Sequence, residues 1–479
     1  MSFPLADPPN DDESCYDLKT NWFEKPGSNY TIDRVFDTEI SPSTLLRPEA
    51  RRIEYIIPPS SFCTDLSQCT LDFCISIVDE NGAALPPCSQ PTAEVPERAA
   101  VAADPSADPP ILAQPFQARV PATPGFAGVS LENMVTGTLV KCLDFRINQV
   151  SLSPLHNTAP YIAYISTLLN FSSEARGSRL ENVGWCDEKD LHNTDYRGYD
   201  GFAKRLKWTE DNKYFYCSTA LFVGMAMQPR LLIPLTTVNI DLDLCSDEFL
   251  LRTSIPNRKF QYRIMKASLN CRRVKLTDSF QAKMEAKLLQ TPAVYPQDIL
   301  NCKTNMISRG QLSFSWTDCF NTFLPNFCIV ALIRQDYVSN YLYSPYSFQP
   351  NNVSNIQINL DGSVVPSRSF QLNYQSGPTQ NWLRAYLSLY RGTTQWDNVS
   401  SFIDYERFAQ FFTLYLFEFN SSESGWCRDV MPIKRLEPAT LNIDFSTDTN
   451  DVLKVILFSS STEIVEITSQ RTVLKNFVL

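Results

Sequence analysis

The sequence predicts an all-β protein built from two tandem antiparallel sandwiches. Short segments that alternate apolar and polar residues recur along the chain, as half-buried strands do. The 479 residues exceed the roughly 250–300 that a single hydrophobic core usually serves. One strand pattern is also written twice, as PLTTVNIDLDL at 234–244 and as PATLNIDFS at 438–446.

Two further pairs of segments repeat in the same order, which indicates an internal duplication. FRINQVSLSP matches the layout of NIQINLDGSVVPS, and YIAYISTLL matches WLRAYLSLY through Ala-Tyr-aliphatic-Ser. The three pairs are represented by Asn148 and Asn359, Tyr164 and Tyr386, and Asn239 and Asn442. Each pair is separated by about 200 residues, the size of one domain.

The N-terminal region is polar until the first strand pattern begins. Residues 1–48 carry prolines and acidic residues, which predicts an extended arm rather than a packed element. Alternating strands are predicted over 52–79. The Pro/Ala-rich stretch at about 83–128 predicts a long surface insertion that is extended or disordered.

The first sandwich is predicted to occupy residues 49–278. It contains a strand at 141–154, a short helix at 161–169, a strand at 234–244 and one or two strands at 260–276. The polar, aromatic stretch at 170–216 has no sustained period and is predicted to be a surface excursion.

A linker helix is predicted at 279–292, since Asp278 or Ser279 can cap it and Pro292 follows it. The second sandwich then occupies 293–479. It repeats the strand, turn and short helix, adds an apolar strand at 408–419, and ends in two closing strands. Many short strands, a short helix and long loops in each half suit an antiparallel sandwich, with the jelly roll as the leading choice.

Charge and hydropathy exclude several classes of function. The net charge is -10 and no Lys/Arg run exceeds a pair, so direct sequence-specific nucleic-acid binding is not expected. The apolar windows are too short for a transmembrane segment, and no secretory signal precedes them. A protein that is not secreted keeps its thiols reduced, so the 14 cysteines are expected to be free and buried.

The residues that usually carry chemistry form no convincing site. His156 and His192 are predicted to be exposed loop histidines, and Cys63, Cys69 and Cys74 lack zinc-ligand spacing. The carboxylates of Asp241 and Asp243 share a strand face, which suits a solvated sheet surface better than glycoside hydrolysis or calcium binding. We therefore expect no enzyme, no cofactor and no metal, and no catalytic, cofactor-binding or metal residue is assigned.

The order of several segments resembles one protein family. These segments include PLTTVNIDLDLCSDEFLLR, YRIMKASLNCRRVKLTDSFQAKMEAKLL, VYPQDILNCKTNMISRG, NIQINLDGSVVPSRSFQLNY and RFAQFFTLYLFEF. Together they resemble the double jelly-roll major capsid proteins of Polinton (Maverick) elements and adintovirus-like viruses. The resemblance spans about residue 52 to residue 479 and is strongest over 262–289 and 352–390. The Pro/Ala-rich insertion matches no motif of that family.

The resemblance implies an all-β fold of two tandem eight-stranded antiparallel jelly rolls side by side, with short helices in the loops. It also implies a structural protein of the virion, made in the host cytoplasm or nucleus. Three chains would form a homotrimer with six jelly rolls, a pseudo-hexameric capsomer that contacts neighbouring capsomers in an icosahedral shell. A single jelly-roll minor capsid (penton) protein would occupy the fivefold vertices. Loops at 170–216 and 375–404 are expected to project outward and meet neighbours, and the N-terminal arm to lie under the shell or clasp a neighbouring chain.

Three alternatives remain open at this stage. A host-domesticated mobile-element capsid protein would keep the fold and lose shell assembly. A jelly-roll carbohydrate-binding protein or glycosidase would line a concave face with tryptophans and paired carboxylates, whereas the seven tryptophans here are scattered. A scaffold for protein partners would use the exposed loops.

Overall fold

A computed structural model describes most of the chain. The described residues are 30–47, 49–85, 128–152, 157–171, 173–188, 190–194, 200–209, 213–320, 323–393, 403–419 and 434–476. Most of the Pro/Ala-rich insertion, at 86–127, lies outside the described residues, as do residues 1–29 of the predicted arm and His156.

The first half forms two four-stranded sheets and a small two-stranded one. Its strands are β1 (Ile32–Ile40), β2 (Arg52–Ile57), β3 (Cys63–Asp79), β4 (Val129–Leu131), β5 (Val140–Ile147), β6 (Val150–Ser151), β7 (Phe215–Ala220), β8 (Val238–Leu244), β9 (Leu251–Thr253) and β10 (Phe260–Leu276). The sheet orders are β1-β10-β3-β7 and β2-β8-β5-β6, while β4 pairs with β9. The pairings between these strands are antiparallel.

The second half repeats this arrangement with its own strands. They are β11 (Ala293–Ile307), β12 (Ser313–Trp316), β13 (Phe327–Arg334), β14 (Val353–Leu360), β15 (Ser363–Val365), β16 (Tyr415–Glu418), β17 (Ala439–Phe445), β18 (Leu453–Ile467) and β19 (Val473–Asn476). The sheet orders are β11-β18-β13-β16 and β12-β17-β14-β15, and β19 pairs with β18.

The two halves have the same strand connectivity. When β4, β9 and β19 are set aside, the first, eighth, third and sixth strands of each half form one sheet. The second, seventh, fourth and fifth strands form the other sheet. This wrapped antiparallel order is that of a jelly roll, so the predicted all-β fold of two tandem eight-stranded jelly rolls is confirmed.

The strand pattern that the sequence writes twice has one structural position. Strands β8 and β17 are both the seventh of their sandwich, and each is paired on both sides, β8 by β2 and β5 and β17 by β12 and β14. Both show strict alternation of burial, with every second side chain in the core. Such a strand needs a period of two, because successive side chains point to opposite sheet faces.

Nine helices lie in the connections of the described residues. They are α1 (Val135–Thr138), α2 (Ala159–Asn170), α3 (Ser173–Arg176), α4 (Gly201–Thr209), α5 (Gly224–Met227), α6 (Asp247–Leu250), α7 (Asp278–Leu288), α8 (Leu383–Thr393) and α9 (Tyr405–Gln410). Short 3₁₀ helices cover Arg179–Val183 and Gln335–Ser339. The predicted helices correspond to α2, α7 and α8, and α2 and α8 both follow the fifth strand of their sandwich.

The structure corrects three expectations about individual segments. Strand β1 lies inside the predicted arm and pairs with β10 along its length, so the first sandwich begins before residue 49. The excursion at 170–216 contains α3, α4 and buried side chains such as Trp185 and Phe202, since its apolar residues pack against the chain itself. The strand predicted at 408–419 is divided between α9 and β16.

Strands β1, β3, β6 and β8 of the first half end on the side opposite α7, and we call this side the loop end. The loop ends of the two halves adjoin, because the Thr253 amide donates to the Tyr341 carbonyl over 2.9 Å. Among the described residues, every helix falls short of the length and apolarity that a bilayer crossing requires.

Candidate functional site: the junction between the two sandwiches

The two sandwiches share one hydrophobic core. A single cluster of buried side chains extends from Ile53 in β2 to Val473 in β19 and includes residues of both halves. We call the contact between residues before α7 and residues after it the junction. A continuous core makes the pair of sandwiches one mechanical unit, because separating them would expose apolar surface to water.

An aromatic cluster occupies the centre of the junction. The ring of Tyr164 on α2 stacks on the ring of Tyr346 from the second half, with centroids 4.1 Å apart and planes 11° apart. Tyr161 meets the same Tyr346 ring edge-on at 5.9 Å, and Phe249 does so at 5.7 Å. Tyr164 and Tyr346 are fully buried. Offset and edge-to-face pairs of this kind add to the stabilisation from burial alone.

Helix α2 lies in this cluster, which explains its composition. Nine of its residues are buried, among them Tyr161, Ile165 and Leu168. A surface helix needs only one apolar stripe, whereas a helix that is enclosed by two packed domains is apolar nearly all round. The apolar composition of YIAYISTLL therefore indicates a buried helix, although the segment lies in a long connection between strands.

Four buried charged side chains lie beside the aromatic cluster. The Arg205 Nη2 atom is 2.6 Å from Glu188 Oε1, and the Arg252 Nη1 atom is 3.5 Å from Glu188 Oε2. Arg252 Nε lies 3.8 Å from Glu132 Oε2. All four side chains are at most 1% exposed. Two carboxylates and two guanidinium groups balance in charge, which is how buried ions are tolerated.

The charge cluster is connected to the second sandwich. The Ser344 hydroxyl donates to Glu132 Oε1 over 3.0 Å, and Arg205 Nε donates to the Leu131 carbonyl over 2.8 Å. Burial raises the pKa of the Glu188 carboxyl above its usual value, while Arg205 and Arg252 lower it. The cluster thus joins α4, β9 and the 170–216 region to the second half through polar contacts of fixed geometry.

His192 is half-buried in the junction, so the prediction of an exposed loop histidine is wrong for this residue. Its ring meets Tyr337, Tyr343 and Phe411 of the second half at centroid distances of 5.1, 5.5 and 5.7 Å. Its Nε2 atom lies 3.0 Å from the Ser347 hydroxyl. The aromatic partners are distant in sequence, so local pattern gives no sign of this packing.

Acidification should weaken the junction through His192. Burial, and then the charge of Arg252, lower the pKa of His192 below its usual 6.5, although Asp190 and Glu132 raise it. The unfolded chain therefore binds this proton more tightly than the folded one. The stabilisation is complete above about pH 6.5 and is lost as the pH falls through the lowered pKa.

We expect the urea midpoint of the wild type to fall between pH 7.5 and pH 5 by more than that of His192→Gln. Glutamine keeps a polar group near Ser347 and removes the titration. Other acidic groups contribute equally to both proteins, so the difference between the two pH profiles isolates His192. Parallel profiles would contradict the assignment.

Further hydrogen bonds join the two halves. Thr158 Oγ1 donates to the Cys302 carbonyl over 2.7 Å, and the Ile233 amide donates to the Tyr295 hydroxyl over 3.1 Å. Arg471 Nε donates to the Pro234 carbonyl over 2.8 Å. At Gly224 a Cβ atom would lie 2.3 Å from the Asp298 carbonyl oxygen, so the two backbones approach too closely for any other residue.

The other residues singled out in the sequence form no common site within the described part of the chain. Asp241 is on the outer face of its sheet, where Arg146 contacts it and Arg52 lies 3.7 Å away, and Asp243 is exposed. The eleven cysteines of the described residues are free, and all but Cys142 are buried. The described residues contain no group of three or more His, Cys, Asp or Glu side chains that could hold a metal.

The outer face of β1 and β10 carries ion pairs. Asp33 Oδ2 lies 2.7 Å from Lys275 Nζ, Asp37 Oδ1 lies 3.0 Å from Arg272 Nε, and Glu39 Oε1 lies 2.8 Å from Lys266 Nζ. Strand β1 is an edge strand, and charged side chains on an edge discourage uncontrolled pairing with other chains.

Comparison with solved structures finds the same architecture in viral shell proteins. PBCV-1 VP54, fitted into a reconstruction of the virophage Sputnik, matches with a TM-score of 0.57 at 10% identity, covering 95% of this chain and 100% of that one. The mavirus major capsid protein matches with a TM-score of 0.54 at 12% identity, covering 99% and 97%. The Faustovirus major capsid protein matches at 0.52 and 9% identity, covering 94% and 92%.

Comparison of sequences adds one distant relative. The uncharacterized protein F54H12.2 of Caenorhabditis elegans is 22% identical over 262 residues, which are 54% of this chain. The chain spans 60% of the length of that relative. No family model matches the sequence. At these identities the comparisons establish the fold, and this fold is the double jelly roll of the major capsid proteins of giant viruses and virophages.

Proposed function

We propose that this chain is a major capsid protein whose trimers are pseudo-hexameric capsomers of an icosahedral shell. The observation that carries the proposal is the pair of sandwiches with identical connectivity, held side by side by a buried junction. Six similar units from three chains approximate a hexagonal tile, and hexagonal tiles can cover a closed shell. The work of such a protein is assembly, and no catalytic role is proposed.

The proposal divides the chain at α7. We infer that the first unit of the duplication starts with β1 and ends with β10, and that the second starts with β11 and ends with β19. Helix α7 joins them and is largely exposed, with Leu288 as its buried residue. The rigid junction supports this role, because a capsomer must transmit force across the shell without its two sandwiches separating.

We further propose that the loop end faces the outside of the particle. Strands β3 and β6, which precede the two longest connections of the first half, both end on this side. The resemblance to Polinton and adintovirus-like capsid proteins supports neighbouring capsomers and a single jelly-roll penton protein as partners. The net charge of -10 suits a shell protein that does not itself bind the genome.

The mass of the purified protein tests the proposal. One chain has a mass of 54.4 kDa, so a trimer has three times this mass, about 163 kDa. We expect light scattering after size exclusion to give the trimer mass, and negative-stain microscopy to show hexagonal particles or shells. A monomer that stays monomeric at high concentration, or a protein that binds sugars on a sheet face, would overturn the proposal.

A second candidate is a host-domesticated copy that has lost shell assembly. The observation that favours it is the similarity to a nematode protein. Microscopy separates the two candidates, since a domesticated protein would give single trimers or monomers under every condition that drives capsomers into shells. Recovery of the protein in particles released from host cells would support the capsid role.

A further inference from the structure

A cavity of about 580 Å³ opens at the loop end, between the two sandwiches. The first half supplies Arg51, Lys141, Asp247 and Tyr161, and the second half supplies Lys454 together with Val338 and Ser339. Its volume lies within the range of about 300–1,000 Å³ that is usual for small-molecule sites. Because both halves line it, a ligand would contact both at once.

The cavity is cationic in a chain that is acidic overall. Three basic side chains line it, and Asp247 is the single carboxylate among its lining residues. That carboxylate is already engaged. Arg51 Nη2 lies 2.9 Å from its Oδ1 atom, and the Tyr262 amide donates to the same oxygen over 2.9 Å. The remaining positive charge therefore belongs to Lys141 and Lys454.

Two donor atoms on residues that line the cavity have no hydrogen-bond partner among the described residues. Arg51 Nη1 and the Tyr161 hydroxyl are buried atoms without a hydrogen-bond partner there. No ion pair within the described part of the chain engages Lys454, whose ammonium lies 5.5 Å from the centroid of the Tyr161 ring. Buried polar groups are nearly always satisfied in folded proteins, so a ligand with acceptor oxygens could satisfy donors that the residues around this cavity supply.

The partly buried position of Lys454 also favours an anionic ligand in the cavity. It lies on β18, between the buried residues Leu453 and Val455, and its burial lowers the pKa of its ammonium. A desolvated cation without a counter-ion is unfavourable until an anion arrives. The apolar part of the cavity, with Tyr161, Phe249 and Val338, offers contacts for an uncharged portion of the same ligand.

We propose that this cavity binds a phosphate-bearing organic molecule of nucleotide size, with its phosphate between Arg51, Lys141 and Lys454. Guanidinium and ammonium groups are the usual ligands of phosphate oxygens. Such a ligand would bridge the sandwiches and stabilise the junction, because anything that binds only the folded protein raises its stability. The inference rests on the cavity of one chain and is independent of the proposed capsid function.

Calorimetric titration of the full chain tests the proposal. The probes are inorganic phosphate, pyrophosphate, AMP and ATP, with sodium chloride adjusted to one ionic strength. We expect ATP and AMP to bind and to raise the thermal midpoint. Tighter binding of ATP than of pyrophosphate would show that the apolar lining contributes, while equal binding would support recognition of the phosphate groups alone.

Matched variants locate the site. Lys454→Met should weaken ATP binding by about tenfold or more, as expected for the loss of one charge-assisted hydrogen bond. It should leave the fold intact, since methionine fills the same space without a desolvated charge. Lys141→Met at the exposed rim of the cavity should weaken ATP binding independently. Lys475→Met on β19 is the control and should leave ATP binding unchanged.

Two outcomes would overturn the proposal. One is the absence of any heat or midpoint shift with all four probes at millimolar concentration. The other is that Lys454→Met and Lys141→Met bind ATP as tightly as the control Lys475→Met does. That result would mean that the phosphate binds elsewhere on the protein. Neither outcome bears on trimer formation, so the two proposals are tested separately.

Discussion

Arg205→Met should lower the free energy of unfolding by about 3–5 kcal/mol, because it removes one partner of a buried ion pair. Arg205 and Glu188 are at most 1% exposed and their closest atoms are 2.6 Å apart. Without Arg205, Glu132 and Glu188 face the single guanidinium of Arg252, and one negative charge stays buried without compensation. Urea denaturation followed by tryptophan fluorescence measures the change.

The double variant Glu188→Met/Arg205→Met isolates the pair. It leaves Glu132 and Arg252 balanced and fills the space with apolar side chains, so it should recover a large part of the lost stability. Lys275→Gln, which breaks the exposed pair with Asp33, should leave the midpoint unchanged within error. If the double variant is no more stable than Arg205→Met, the loss of stability in Arg205→Met does not come from the unbalanced buried charge.

Tyr346→Ala should also cost about 3–5 kcal/mol, because it empties the centre of the aromatic cluster. The ring of Tyr346 is fully buried and contacts Tyr161, Tyr164 and Phe249. Its removal leaves a cavity that two sandwiches of fixed shape cannot close. Since the core is continuous, we expect one cooperative unfolding transition at a lower urea concentration.

Tyr346→Phe and Tyr216→Ala are the controls for this prediction. Phenylalanine keeps the ring contacts, so most of the stability should return, while Tyr216 is 70% exposed and its truncation should leave the midpoint in place. Two separate unfolding transitions in Tyr346→Ala would mean that the substitution uncouples the two sandwiches at the junction, so that each sandwich unfolds independently. An unchanged single transition would contradict the role given to the cluster.

Both variants also connect stability with the proposed assembly. Arg205 and Tyr346 are fully buried within one chain, so neither side chain is on the surface of that chain. If the trimer requires two sandwiches at a fixed angle, loosening the junction should lower the trimer fraction even where each chain remains folded. Trimer fraction and unfolding midpoint should therefore fall together across this series.

The duplication and the strand positions were predictable because the alternation of apolar and polar residues along a strand depends only on which of its faces is buried. The period of two in β8 and β17 follows directly from a sheet with one buried face. The helices α2 and α8 follow the same strand in both halves, as the paired segments predicted. Strand β1 was not predicted, because an edge strand with charged outer residues has the composition of a polar arm.

The two sandwiches, their order and the lack of a familiar catalytic motif can be read from the residues alone, because periodicity and motifs are short-range properties of a chain. Folding brings together one buried cluster of Glu132, Glu188, Arg205 and Arg252, and it packs His192 among aromatic rings. The cavity with Arg51, Lys141 and Lys454 likewise exists only where the halves meet. These sites combine residues up to several hundred positions apart, and the physical reason is that packing two domains creates neighbours that no local pattern records.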